Sequence, residues 1–197
     1  MSNRLGLTSP SDLTADQKPL HEDILSGIRT SYDQSSASPQ LTLDDDTLIG
    51  PYGVVLHHPQ VGRSFIDLIR SLRALPSLSL YAREVAIAVT GSRSQAAFEN
   101  YAHHIIATQR AGLTEAEMRE IHAGRCPDTL TDEGKAAFEL ATALGKPGVL
   151  DETVYKRAVD VLGKDGAAAC IHFTGIYAYV GVVLNGFDVK VPQSSSA

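Results

Sequence analysis

Glu99 and His103 stand four positions apart, so on a helix they share one face about one turn from each other. Phe98, Tyr101, Ala102 and Ile105 supply the neighbouring apolar face, which sets an acid and an imidazole where a core and a pocket meet. A second carboxylate, Glu84, is embedded in the run Val85-Ala86-Ile87-Ala88-Val89 and must be paired or line a cavity, because burying it alone is costly. A carboxylate bonded to one imidazole nitrogen fixes the tautomer and raises the basicity of the other nitrogen. That chemistry is general acid/base catalysis, worth about 10²–10⁴-fold in rate. The same residues also fit a plainer reading. Glu99 and His103 have the spacing of an exposed helical pair worth roughly 0.2–0.5 kcal/mol, and Glu84 fits a structural ion pair with Arg83 or Arg73.

Further polar groups fall near this constellation. Arg110 lies two turns beyond His103 on roughly the same face, suited either to a substrate carboxylate or to the end of its own helix. His58, after His57 and before Pro59, and His172, in the apolar last helix, are secondary candidates for lining a pocket; for His172 the plainer reading is a buried, hydrogen-bonded imidazole. His104 points about 100° away from His103. No metal site is expected: His57-His58 has no third ligand at useful spacing, and Asp44-Asp45-Asp46 lacks the other ligands of a calcium loop. Cys126 and Cys170 are 44 positions apart, too far for a Cys-x-x-Cys pair. Neither a glycine-rich phosphate loop nor a serine nucleophile elbow is present.

These residues need helices to hold them, and the apolar spacing supplies helices. Spans are expected at about 14–31, 60–74, 79–90 with Gly91 as a stop, and 94–111 with Ser94 as cap and Gly112 as end. Further spans follow at 114–122, 131–144, 151–162 and 165–184. Thr114 and Glu117 have the capping-box spacing. Residues 32–46 read as a polar surface loop and Ile49 to Pro59 as a compact connector. No segment alternates with period two. The fold class expected is therefore all-α, a compact bundle of about seven helices. It divides into an N-terminal helix and polar loop (1–47) packed on a helical core (48–197), one domain overall.

Composition closes several function classes. The 197 residues carry 17 Lys and Arg against 23 Asp and Glu, a net charge of −6, with a pI near 5.6. An acidic chain argues against nucleic-acid partners, and no polybasic patch points to a membrane surface. The start has no apolar signal core, and the stretch from Tyr177 to Leu184 is short for a bilayer span. A cytoplasmic protein is expected.

The residues from Arg83-Glu84 through Phe98-Glu99-Asn100-Tyr101-Ala102-His103 to Ala111-Gly112-Leu113-Thr114 resemble the carboxymuconolactone decarboxylase family, also called alkylhydroperoxidase-D-like. The segments Gly50-Pro51-Tyr52 to His58-Pro59 and Tyr179 to Pro192 share the likeness, which covers the chain from about Leu48 onward. The Glu-x14-Glu-x3-His spacing carries it. Glu84 and His103 match the family's proton-relay positions, and Glu99 matches the carboxylate of the lactone-decarboxylase branch. The peroxidase branch has a Cys-x-x-Cys pair where this chain has Ala96 and Glu99. Thiol-based peroxide reduction is therefore not expected. The resemblance implies a helical subunit assembled into trimers or hexamers, with no metal or organic cofactor. The implied function is a cofactor-independent, decarboxylase-type carbon–carbon lyase acting on a small carbonyl-containing acid or lactone in a biosynthetic or aromatic-degradation pathway. Its catalytic residues would be His103, Glu84 and Glu99, with Arg110, His58 and His172 as candidate substrate contacts. The alternatives are a non-catalytic oligomeric binder of small molecules on the same fold, or a cysteine-dependent antioxidant protein.

Overall fold

The computed structural model describes residues 3–31 and 38–192. Among them the chain forms eight α-helices and no strand; a single antiparallel bridge joins Thr42 to Leu48. The helices are α1 (Lys18–Ser31), α2 (Gly50–Val55), α3 (Pro59–Arg73), α4 (Leu80–Ser94), α5 (Ala97–Ile106), α6 (Glu115–His122), α7 (Asp132–Leu144) and α8 (Glu152–Gly186). A π-helical turn, Ala107–Ala111, continues α5. The all-α expectation holds. Part of the loop expected over 32–46 lies outside the described residues.

Local chemistry sets most of the helix ends. Ser79, Thr131 and Asp151 accept backbone N–H bonds at the starts of α4, α7 and α8. Thr114 and Glu117 form the full capping box on α6. Gly112, at φ 86°, ends the π turn. At Gly163 (φ 71°) the backbone leaves helical geometry, so α8 is two segments, 152–162 and 164–186, as the sequence suggests.

Four boundaries differ from expectation. α1 starts at Lys18, not Thr14, because Pro19 has no N–H and fits only a first turn. Part of the connector is helical: Pro51 opens α2. Gly50, at φ 64°, lies so close to the Phe98 ring that any Cβ would overlap it. α4 runs past Gly91 to Ser94 and stops where Gln95 turns left-handed (φ 52°), so α5 is capped by Ala96 rather than Ser94.

Two apolar clusters fill the interior. One gathers α4, α6, α7 and the middle of α8 around Val85, Ile87, Met118, Ile121, Leu140 and Phe173. The other gathers α1, α2, α3, the start of α5 and the end of α8 around Leu20, Leu48, Phe65, Ile69, Phe98 and Val180. Each fully buried aliphatic or aromatic side chain contributes about 1.5–3 kcal/mol. The stretch from Tyr177 to Leu184 is only part of α8. By length and composition alone α8 is long and apolar enough to cross a membrane, with a mean hydropathy of 1.7 over its most apolar window, though its backbone breaks at Gly163. Half of that window is buried in this fold, with Phe173, Tyr177, Val180 and Leu184 in the core. α8 touches both clusters, and the site lies where they meet.

Candidate active site

Glu84 sits mid-way along α4, in its most buried stretch. α5 packs across α4 and brings His103 over it. The His103 Nδ1 and Glu84 Oε2 are 2.7 Å apart, with Glu84 2% and His103 9% exposed. A carboxylate accepts, so Nδ1 carries the hydrogen and Nε2 is the ring nitrogen left to meet a reacting group. The Arg83 Nε stands 3.6 Å from the other Glu84 oxygen and its guanidinium lies over the Phe173 ring at 5.4 Å. Glu84 thus has a cation on one side and the imidazole on the other. The Tyr177 ring meets His103 edge-on at 4.8 Å and fixes the imidazole plane.

Glu99 lies one turn before His103 on α5 and is 2% exposed. Neither of its oxygens has a hydrogen-bond partner among the described residues. Burial, and then the nearby Glu84 charge, push its carboxyl well above the usual carboxylate range. The two acids differ in environment: Glu84 has the Arg83 guanidinium beside it, whereas burial favours the protonated form of Glu99. Room for Glu99 comes from Gly91, where a Cβ would fall 2.6 Å from Asn100 Oδ1 and 3.1 Å from Glu99 Oε1.

Glu99 and His103 line a narrow chamber of about 50 Å³, walled by Leu41, Phe65, Ile69, Phe98 and Val180. That volume holds a few waters at most. On the other side of His103 opens a vestibule of about 260 Å³, lined by Glu84, Arg73, Arg83 and Arg110. His103, Arg73, Ile106 and Tyr177 line both spaces, so the imidazole stands at their junction. His103 thus stands between the chamber that Glu99 lines and the vestibule that Glu84 lines. An oriented imidazole bonded to one carboxyl group and one helical turn from a second, whose protonated form burial favours, can move protons.

The other candidates are spread out. Arg110 lines the vestibule and donates from both terminal guanidinium nitrogens to the Ser31 carbonyl at 3.1 Å. His58 lies instead on a separate surface groove with Asp16, His57 and Arg63. His172 is exposed on α8 rather than buried, and neither His58 nor His172 lines the chamber or the vestibule. His104 faces away, 3.0 Å from Glu115. Cys170 is buried in the core, its thiol pushed up to about 12 by desolvation, and Cys126 is exposed. Neither cysteine lines the recess. Among the described residues no group of three His, Cys, Asp or Glu side chains is placed to hold a metal ion. Arg73, Tyr177 and Gly91 were not singled out from sequence as parts of this site. Tyr177 had one signal, a polar ring in the most apolar helix, and the others had none at short range.

No protein-family model and no curated protein sequence matches the chain. Solved structures do. The debrominase Bmp8, as a cysteine-to-alanine variant in complex with 2,3,4-tribromopyrrole, superposes with a TM-score of 0.69 at 14% identity, covering 94% of this chain and 91% of that one. The apo form of Bmp8 gives the same score and identity over 92% and 90%. The two proteins share a fold.

Proposed function

We infer that the chain is an enzyme of the carboxymuconolactone decarboxylase type. It moves protons on a small carbonyl-containing acid or lactone without an organic cofactor or a metal. One observation supports this reading: the 2.7 Å Glu84–His103 contact stands at the junction of the vestibule with the apolar chamber that a buried, unpartnered Glu99 lines. A likeness of fold to an enzyme that takes a small aromatic molecule supports an enzymatic role. Debromination is not carried over, since no thiol lines this recess.

In the reaction proposed, a substrate carboxylate lies β to a carbonyl. The carbon–carbon bond to it breaks, CO₂ leaves, and the electron pair moves into the carbonyl to give an enolate. Apolar walls strip water from the departing carboxylate and favour its loss as neutral CO₂. Protonated Glu99 hydrogen-bonds the developing enolate oxygen, where charge grows in the transition state. His103, protonated at Nε2 and held through Nδ1 by Glu84, delivers a proton to the carbon. Overall the substrate loses CO₂ and gains one proton. The chain also assembles into a homo-oligomer, a trimer or hexamer. The exposed Val61 and Leu68 on α3 and Tyr179 and Val182 on α8 support this, with Tyr179 packed on Phe65 of the chamber wall.

The test is turnover of a panel of β-keto acids and carboxylated lactones in heavy water. The expected result is CO₂ release with one deuterium at the carbon that lost it, and a fall of about 10²–10⁴-fold in His103→Ala. Unchanged turnover in that variant would refute the reading.

A further inference from the structure

Both Glu99 carboxyl oxygens, Asn100 Oδ1 and His122 Nε2 are buried and have no hydrogen-bond partner among the described residues. They follow one another along the seam where α4, α5 and α6 meet. Gly91 of α4 floors its inner end: a Cβ there would stand 2.6 Å from Asn100 Oδ1 and 3.1 Å from Glu99 Oε1. A point so near to both keeps the two oxygens within about 6 Å of each other, the span of two hydrogen bonds through one water. The next residue of α4, Ser92, donates its hydroxyl to the His122 carbonyl at 2.9 Å and ties the end of α6 to the same stretch. On α5, His104 comes one turn after Asn100; its ring lies 6.0 Å from that of His122, and its Nε2 is 3.0 Å from Glu115. His122 is half-buried with Nε2 wholly inside. Burial, and then the neighbouring His104, hold its imidazole below the usual histidine range, so it rests neutral. Asn100, His104 and His122 line neither the chamber nor the vestibule.

Buried polar atoms that the protein leaves without a partner are met by ordered water where several of them share a site. We propose that waters along the α4–α5–α6 seam join the Glu99 carboxyl, past Asn100 Oδ1, to His122 Nε2, and that this file carries protons between Glu99 and solvent without passing through the chamber or the vestibule. Asn100 is a positioning residue: its amide oxygen does not titrate, but it accepts a hydrogen bond from the water beside Glu99 and so orients it. His122 is the outer station, a ring with one nitrogen inside and the rest reaching the surface. For inward transfer a solvent proton joins Nδ1 and the Nε2 hydrogen passes to the first water. Each water takes one proton and gives one on, and the last arrives on the Glu99 carboxylate. A turn of the His122 ring restores its first tautomer, so the net change is one proton moved from solvent to Glu99. Such a route matters when the chamber is filled. A substrate at the His103 junction cuts Glu99 off from the vestibule, and a path from behind still returns its proton. The proposal rests on Glu99 holding a proton, which the proposed reaction also uses, and not on the reaction itself.

Infrared spectroscopy of the full chain tests this without any substrate. The carbonyl stretch of the protonated Glu99 carboxyl is the band that Glu99→Gln removes, and it shifts when deuterium replaces the hydrogen. Its rate of shift after rapid mixing into heavy water, at one fixed pH near neutral, reads proton access to Glu99. In the native chain it is expected to exchange at least about a hundredfold faster than the core amides of the same sample, which wait for the fold to open. Asn100→Leu and His122→Phe are each expected to slow it at least about tenfold, and Asn100→Ser, which keeps an oxygen at the seam, to stay within about threefold of native. A loosened fold speeds exchange, so slowing is a result that damaged packing does not give. Unchanged exchange in Asn100→Leu or in His122→Phe overturns the proposal. A native band that exchanges no faster than the core amides also overturns it, as does the absence of any band that Glu99→Gln removes. If one variant does not fold, the other, on a different helix, and the native rate against the amides still decide. Rapid exchange by this route in a protein that turns over no substrate would sink the catalytic reading and leave the proposal standing.

Discussion

Replacing Glu99 by Gln removes a titrating proton and keeps the side chain's shape. Glu99 is buried without a hydrogen-bond partner for either oxygen, and its carboxyl is raised well above the ordinary value of 4.5 by burial and by Glu84. In the unfolded chain it ionises near that ordinary value. Below it both states hold the proton and Glu99 carries no penalty. As pH rises above it, the unfolded chain releases the proton while the folded chain keeps it. Folding then binds one proton, and stability falls by about 1.4 kcal/mol per pH unit until the folded-state pKa is reached. Gln has no proton to lose, so Glu99→Gln should escape this slope. Its stability relative to the native chain should rise by about 1.4 kcal/mol for each unit above the ordinary value, on top of a constant offset for the new amide. The assay is urea unfolding followed by circular dichroism at several pH values from 5 upward, at one fixed protein concentration because association also shifts stability. A difference between the two proteins that does not vary with pH would refute the argument. So would a native chain that gains on the variant as pH rises, since that is the signature of an ionised, paired carboxylate.

Other perturbations have equally definite outcomes. Gly91→Ala gains up to about 1 kcal/mol of helix propensity, but its Cβ would crowd Asn100 and Glu99. Urea unfolding should show a net loss of about 1–2 kcal/mol. An alkylating reagent at mild alkaline pH should label exposed Cys126 and leave Cys170, whose thiol is pushed up to about 12, untouched until the protein unfolds, as peptide mass mapping would show. Val182→Asp, at a side chain 71% exposed, should leave the helical content intact and lower the mass measured by light scattering toward that of one chain.

What could be read from the residues alone follows from how far apart the interacting groups lie. The Glu99–His103 pair was legible because four residues on a helix fix the geometry. Glu84 was legible because a lone carboxylate in an apolar run has few ways to be satisfied. That Glu84 finds His103 depends on how α4 crosses α5, and the residues suggested this only through the family resemblance. Arg73 and Tyr177 enter the recess through the packing of α3 and α8, which no local pattern encodes. Gly91 misled because glycine both ends helices and lets them approach closely, and here the second use won. Pro19 was a stronger boundary signal than the apolar spacing before it. His58 and His172 had residue type without geometry, and their side chains lie on other surfaces.

The proposed proton transfer depends above all on an imidazole anchored through Nδ1 by Glu84. NMR of histidine-labelled protein at neutral pH reads that bond directly. The expected spectrum contains one exchange-protected Nδ1 hydrogen belonging to His103, present in the native chain and in Glu99→Gln and absent in Glu84→Ala. An His103 ring whose hydrogens exchange as freely as those of exposed His172, or whose signal is indifferent to Glu84→Ala, would contradict it.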